Sequence, residues 1–199
     1  MTGAGCQIFR VKSGAIRRVE VIGLLRRGRY ERTGYELYGE AVRAARAPYF
    51  YAVLGVPDTV DGRFDMVGLQ VFLLLRRLRA LAAPGPAVAQ AVFDAMFHDM
   101  DVSLREMGVG DLSVGRKVRA MWEAFHGRSA AYQVALADVD PAALEAALLR
   151  NVWRGAPAGA APAALAELVR AQDAHLAAQA LGALAAGQVT FLPPPPVVA

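Results

Sequence analysis

Apolar positions along this chain recur at helical spacing. A first helix is predicted from about Glu31 to Ala47, with Leu37, Val42 and Ala45 on one side. Pro48 stops it, since proline has no N–H and clashes with the preceding turn. The segment PYFYAVLGVPDTVDGR follows as a linker; its aromatics suit packing, and Gly55, Pro57, Asp58 and Gly62 are turn chemistry. From Phe64 to Ala82 the chain is apolar almost all round until Arg76, the pattern of a central, buried helix, and Pro84 and Pro86 end it. A third helix from Val88 to Met107 carries the stripe Phe93, Met96, Phe97, Met100, Leu104 and Met107, and GVGD breaks it. Ser113 is the expected N-cap of a fourth helix reaching Ala137, with Gly127 softening its middle. Asp140 and Pro141 predict a fifth helix to Trp153, with an aspartate cap and proline in the first turn. RGAPAGAAP reads as a flexible linker. Pro162 opens a sixth helix, which Gly187 ends near Ala186. The closing QVTFLPPPPVVA is expected to be extended, with its proline run in polyproline II; VTFL is the one strand-like stretch. The prediction is an all-α fold. Residues 31–191 form a single compact helical domain of about six helices, between a basic N-terminal arm (1–30) and a Pro-rich C-terminal tail (192–199).

Composition sharpens this picture. The 199 residues are 55% hydrophobic and 20% charged, which suits one folded domain with a sizeable core. Alanine supplies much of the apolar count, and alanine loses no rotamer freedom in a helix. Charge is uneven. Seven of the 22 basic residues but only one of the 18 acidic residues lie within 1–30, a local balance of +6. The remainder holds 15 basic and 17 acidic residues, a balance of −2. The basic character belongs to the arm, and a folded body without net positive charge argues against specific DNA binding. Residues 1–20 are Gly- and Arg-rich with poor periodicity, which predicts Val21 as an alternative initiator. The lone Cys6 excludes an intramolecular disulfide and a cysteine-based zinc site. The most apolar run, residues 66–75, is about half of what spans a bilayer. The expected location is cytoplasmic, with peripheral contact at the inner face of the cytoplasmic membrane.

Candidate chemistry is sparse. Asp94, His98 and Asp101 are spaced to share a face of the third helix and are a candidate cation-binding trio. The competing reading is a solvated face, with Arg105 one turn on to balance its charge. Nucleophilic catalysis lacks a motif: the three histidines fall on different helices, and no GxSxG occurs. GVG at 108–110 reads as a helix-breaking turn, because neither a strand before it nor a Walker lysine after it is present. The Met-rich stripe fits core packing, or a groove for an apolar client. In the arm, Ile22, Leu24 and Leu25 beside Arg26, Arg27 and Arg29 suit an anionic membrane or ribosomal RNA phosphates, or else a tail without function.

Three blocks in order, YGEAVRAARAPYFYAVLGVPDTVDGRFDM, HDMDVSLREMGVGDLSVGRKV and AFHGRSAAY, resemble the ubiquinol–cytochrome c chaperone family. The resemblance runs from about Tyr35 to Trp153 and on through GQVTF at 187–191. It implies a non-enzymatic assembly factor for respiratory complex III with no cofactor. Mitochondrial members of that family act with a small partner protein, bind near the ribosomal tunnel exit and hold newly made cytochrome b until haem is inserted. The expected partners are therefore cytochrome b or another apolar membrane-protein client, a small partner protein and the ribosome. The absence of a transit peptide or membrane anchor, and a composition rich in Ala, Arg and Pro, fit a bacterial source. The family's motif falls on Pro57, Asp58, Gly62, Arg63, Phe64, Asp65, Asp99, Asp101, Arg105, Glu106, Gly108, Gly110, Asp111, Gly127, Arg128 and Tyr132. Arg63, Arg105 and Arg128 are forked donors matched to the aspartates, so an inter-helix polar network around a client groove is expected; the plainer reading is a staple for the fold. Two other readings stand beside the chaperone: a helical carrier of a hydrophobic small molecule such as a quinone, which requires a deep apolar cavity, and a metal-dependent enzyme using Asp94, His98 and Asp101.

Overall fold

The computed structural model describes residues 28–197. Val21, Arg26 and Arg27 lie outside the described residues, as does Cys6. The described chain is all-helical, without a strand: α1 (Glu31–Ala45), α2 (Pro48–Ala52), α3 (Val60–Arg79), α4 (Gly85–Glu106), α5 (Asp111–Ala137), α6 (Pro141–Val152), α7 (Ala161–Ala178) and α8 (Leu181–Ala185). The six longer helices are those expected from the apolar pattern, and α2 and α8 are single short turns.

Helix α3 is the centre. Phe64, Met66, Val67, Leu69 and the run Val71–Leu75 are buried around its whole circumference, as its sequence requires. Helices α1 and α4 pack on it and on each other, α6 and α7 pair on another side, and α5 joins the two groups by touching both α4 and α6. The approach of α1 to α4 rests on Gly34: a Cβ there would sit 2.5 Å from the carbonyl oxygen of Ala91. One turn on, Tyr38 donates to Asp99 Oδ2 at 2.6 Å and ties the same two helices. Across the core, the buried Trp153 donates its indole N–H to the carbonyl of Leu54 at 3.2 Å. Arg76 grips Asp173 of α7 through two hydrogen bonds of 2.7 and 2.8 Å.

Several boundaries differ from expectation, each for a local reason. Pro48 does not merely end α1; it stands in the first turn of α2, where its missing N–H costs nothing. Helix α3 begins four residues earlier than its apolar run, because Thr59 Oγ1 accepts from Gly62 N at 3.1 Å and caps it. Ser113 is not a cap. Gly110 holds that position, Asp111 opens α5, and the Ser113 N–H donates to Gly110 O at 2.7 Å. Gly127 leaves α5 unbroken over 27 residues. The expected sixth helix divides where Gln179 and Ala180 turn extended, giving α7 and α8. Asp140 caps α6 as expected, accepting from Ala142 N at 2.9 Å. Among the described residues, no helix is long and apolar enough to cross a membrane.

The α1–α4 contact yields a direct expectation. Gly34→Ala forces the helices apart and lowers stability by about 1–3 kcal/mol, measured by urea denaturation, while Gly39→Ala, whose Cβ meets open space, is neutral or slightly stabilising.

Candidate functional site

The motif residues fall into separate clusters rather than one network. The first lies at the start of α3. Arg63 Nε and Nη2 meet Asp58 Oδ1 and Oδ2 at 2.6 and 3.2 Å on the surface, which holds the Asp58 carboxyl below the usual carboxylate range. Arg63 therefore bonds within its own entry turn and does not link helices, because its position on α3 faces solvent. Gly62 is required there: a Cβ would stand 2.0 Å from the carbonyl oxygen of Pro57.

The second cluster is buried. Asp65 has no exposed side-chain surface, yet its carboxylate stands in ion pairs with Arg128 of α5 and with Arg154, whose Nη2 lies 2.7 Å from Oδ2. Burial dominates and pushes the Asp65 carboxyl up to about 6; the two guanidinium groups pull the other way. Arg128 also lies 5.7 Å from the ring centroid of Phe64. A cavity of about 10 Å³ sits here, lined by Asp65, Arg128, Ser129 and Tyr132 among others. That is close to the space one water needs. The buried Ser129 Oγ and Tyr132 OH have no hydrogen-bond partner among the described residues, and both residues line the cavity. Burial raises the Tyr132 hydroxyl well above its ordinary value, and its ring packs 5.7 Å from that of Phe72.

The third cluster closes the α4–α5 turn. Arg105 Nε bonds Asp101 Oδ2 at 2.6 Å and Arg105 Nη1 bonds Asp111 Oδ1 at 2.5 Å. The hydrogen bond from Arg105 lowers the Asp101 carboxyl. Glu106 is exposed at the end of α4, and Asp99 turns away to Tyr38. At this turn apolar side chains face outward: Leu112 is fully exposed and Met107 is 53% exposed, with Val102 on the last turns of α4 also on the surface; Trp122, farther along α5, is exposed too. The Met-rich stripe is thus divided. Met96 is core, Met100 is packed against it, and Met107 is surface. Trp122 stacks near His126 at 4.1 Å between centroids, beside the Phe93, Phe97 and Phe125 rings.

Asp94, His98 and Asp101 are not brought together as a metal site. Asp94 accepts from Gln90 at 2.8 Å, His98 meets the edge of the Tyr35 ring, and Asp101 is taken by Arg105. Among the described residues, no group of three His, Cys, Asp or Glu side chains is placed to hold an ion. Neither described depression fits a quinone: one is water-sized, and the other, about 430 Å³ between α5 and α6 beside Val134 and Ala147, is open to solvent. Arg29, the one described basic residue of the arm set, lies 5.4 Å from the Tyr30 ring centroid. Arg154 was not singled out from sequence. It stands in a Gly- and Ala-rich stretch that reads as a linker, and its positive φ of 58° makes the tight turn that sends its side chain to Asp65.

A family model described as "Ubiquinol-cytochrome C chaperone" matches residues 52–191, spanning all three clusters. The chain belongs to the ubiquinol–cytochrome c chaperone family. A solved structure, the Cbp3 homolog from Brucella abortus, is 36% identical and superposes with a TM-score of 0.74, covering 86% of this chain and 96% of that one. Ubiquinol-cytochrome-c reductase complex assembly factor 1 from Xenopus laevis is 25% identical over 103 residues, 52% of this chain. The chain spans about half the length of that relative. The chaperone-family match begins at residue 52, so α1 and Tyr38 lie before it, whereas Asp99, which Tyr38 bonds, lies within it.

The buried pair has two measurable consequences. Arg128→Met leaves Asp65 short of a counter-charge and costs about 3 kcal/mol in urea denaturation. Because the folded protein holds the Asp65 proton more tightly than the unfolded chain, Asp65 favours the folded state most at low pH, and this contribution fades as pH rises from about 4 through about 6. The stability difference between wild type and Asp65→Asn is expected to move against wild type across that window; a difference independent of pH contradicts the assignment.

Proposed function

We propose that this chain is a non-enzymatic assembly chaperone for the ubiquinol–cytochrome c oxidoreductase complex, and that it binds newly made cytochrome b. The observation that carries this reading is the family match over residues 52–191. The Xenopus laevis relative, which is named as an assembly factor of the same complex, supports it. A chaperone of this kind binds an apolar, membrane-destined client before it is inserted or matured. Its binding surface must therefore display apolar side chains to water while its own fold stays rigid.

The α4–α5 turn suits that requirement. Asp101, Arg105 and Asp111 brace the turn through charge-assisted bonds. The brace fixes the backbone from which Val102, Met107 and Leu112 project. Apolar surface of this kind is favourable to cover and marks an interaction site when grouped. In this reading, Arg105 and Glu106 ring the contact, Phe64, Asp65, Arg128 and Tyr132 set α5 against α3, and Asp58 and Arg63 order the entry turn of α3. A small partner protein and the ribosome remain proposed further contacts, as does a peripheral place at the inner face of the cytoplasmic membrane through Arg26, Arg27 and Arg29.

Met107→Asp combined with Leu112→Asp is expected to leave the melting temperature within about 1–2 °C of wild type, since both side chains are on the surface. The same variant is expected to recover about tenfold less cytochrome b when the tagged protein is isolated from mildly solubilised membranes of its own organism. Equal recovery by wild type and variant removes this surface from the account. Wild type that recovers no cytochrome b removes the client.

A further inference from the structure

Residues 188–192 lie extended against α7 and are gripped there mainly through their main chain. Gln179 uses both ends of its amide on one residue: Oε1 accepts from Thr190 N at 3.0 Å, and Nε2 donates to Thr190 O at 2.7 Å. Gln172 Oε1 accepts from Leu192 N at 2.8 Å. His175 Nε2 lies 3.0 Å from Thr190 Oγ1. Val189 is buried and Phe191 packs against the core, the alternation of a strand laid on an apolar surface. Arg77 donates to the Gln179 carbonyl at 2.6 Å and steadies that end of the grip.

The grip is incomplete at one point. Gln172 is 5% exposed, and its Nε2 is buried with no acceptor among the described residues. Gln179 pairs with both the N–H and the C=O of its residue, whereas Gln172 takes only the N–H of Leu192. Leu192 precedes Pro193, and a residue before proline is restricted in backbone conformation. The chain's own segment thus leaves a buried donor unused.

We propose that Gln172, His175 and Gln179 form a docking clamp for an extended segment of a partner protein, with residues 188–192 as a displaceable placeholder. The fitting partner is an extended peptide with apolar residues at alternate positions. It carries no proline after the residue that faces Gln172, so that residue offers both main-chain groups. Side-chain amides that read main chain give affinity without demanding a particular sequence, the logic of strand addition. The placeholder is free to leave in one direction, because it follows the turn at Gly187 (φ 80°) and leads into the mostly exposed run 193–197. The clamp does not rest on cytochrome b being the client.

The test uses the full-length protein and a fluorescein-labelled peptide, GQVTFLSS, which repeats residues 187–192 and carries serines in place of the prolines that follow. Fluorescence anisotropy is expected to show binding about tenfold tighter to Val189→Ser/Phe191→Ser, whose own tail is loosened, than to wild type. Gln172→Ala/Gln179→Ala is expected to lose that binding. Should the loosened variant fail to fold, hydrogen exchange on wild type decides: excess peptide is expected to speed exchange in residues 188–192 of the protein, which are separable from the peptide by mass. No binding to a folded loosened variant, equal binding to the Gln172/Gln179 variant, or binding that leaves exchange of the tail unchanged overturns the proposal.

Discussion

A carboxylate with no exposed side-chain surface, Asp65 on the central helix, is held by two arginines that come from different parts of the chain. Along its middle, helix α3 is buried on nearly every side and Gln70 is the other buried polar side chain there, so apolar burial alone leaves it freedom to rotate about its axis. A buried charge removes that freedom, because only one arrangement brings Arg128 of α5 and Arg154 of the α6–α7 turn to it. The net energy of such a pair is modest, since desolvation offsets most of the attraction. Its value lies in register: it sets α5 and the turn after α6 relative to α3, and the position of α5 sets where the α4–α5 turn stands.

From that register the two surfaces follow. The α4–α5 turn is braced by Arg105 and presents Leu112 and Met107 to solvent. On the far side, α7 is fixed to α3 by Arg76 and Asp173, which places Gln172 and Gln179 along a line that an extended chain can follow. A small helical protein thus offers one apolar, sequence-tolerant face and one main-chain clamp on a rigid frame. Such a pairing suits a protein whose proposed partner is a membrane polypeptide still lacking its final neighbours.

The helices were readable because their signals are local: the apolar runs, Asp140–Pro141 and the all-round burial of α3 each depend on residues a few positions apart. Boundaries depart from the apolar pattern where a polar residue outside the apolar run does the capping, as with Thr59, or where glycine takes the cap and leaves Ser113 inside the helix. The motif residues carried the family, but not their geometry. Spacing cannot say that Arg63 bonds its own entry turn while Arg128 reaches a buried aspartate, since that is settled by which side of each helix meets the core. Arg154 and Gln172 were invisible for the same reason: their partners are distant in sequence, and their neighbours look like linker and surface helix.

The central claim, that newly made cytochrome b is held at the α4–α5 turn, is tested most directly by photo-crosslinking. A photoreactive residue placed at position 112, and at the exposed position 32 of α1 as a control, would be activated during cytochrome b synthesis in native membranes. A crosslink to newly made cytochrome b from position 112 and not from position 32 is the predicted result. Equal crosslinking from both positions, or none from position 112 while the protein is intact and abundant, contradicts it.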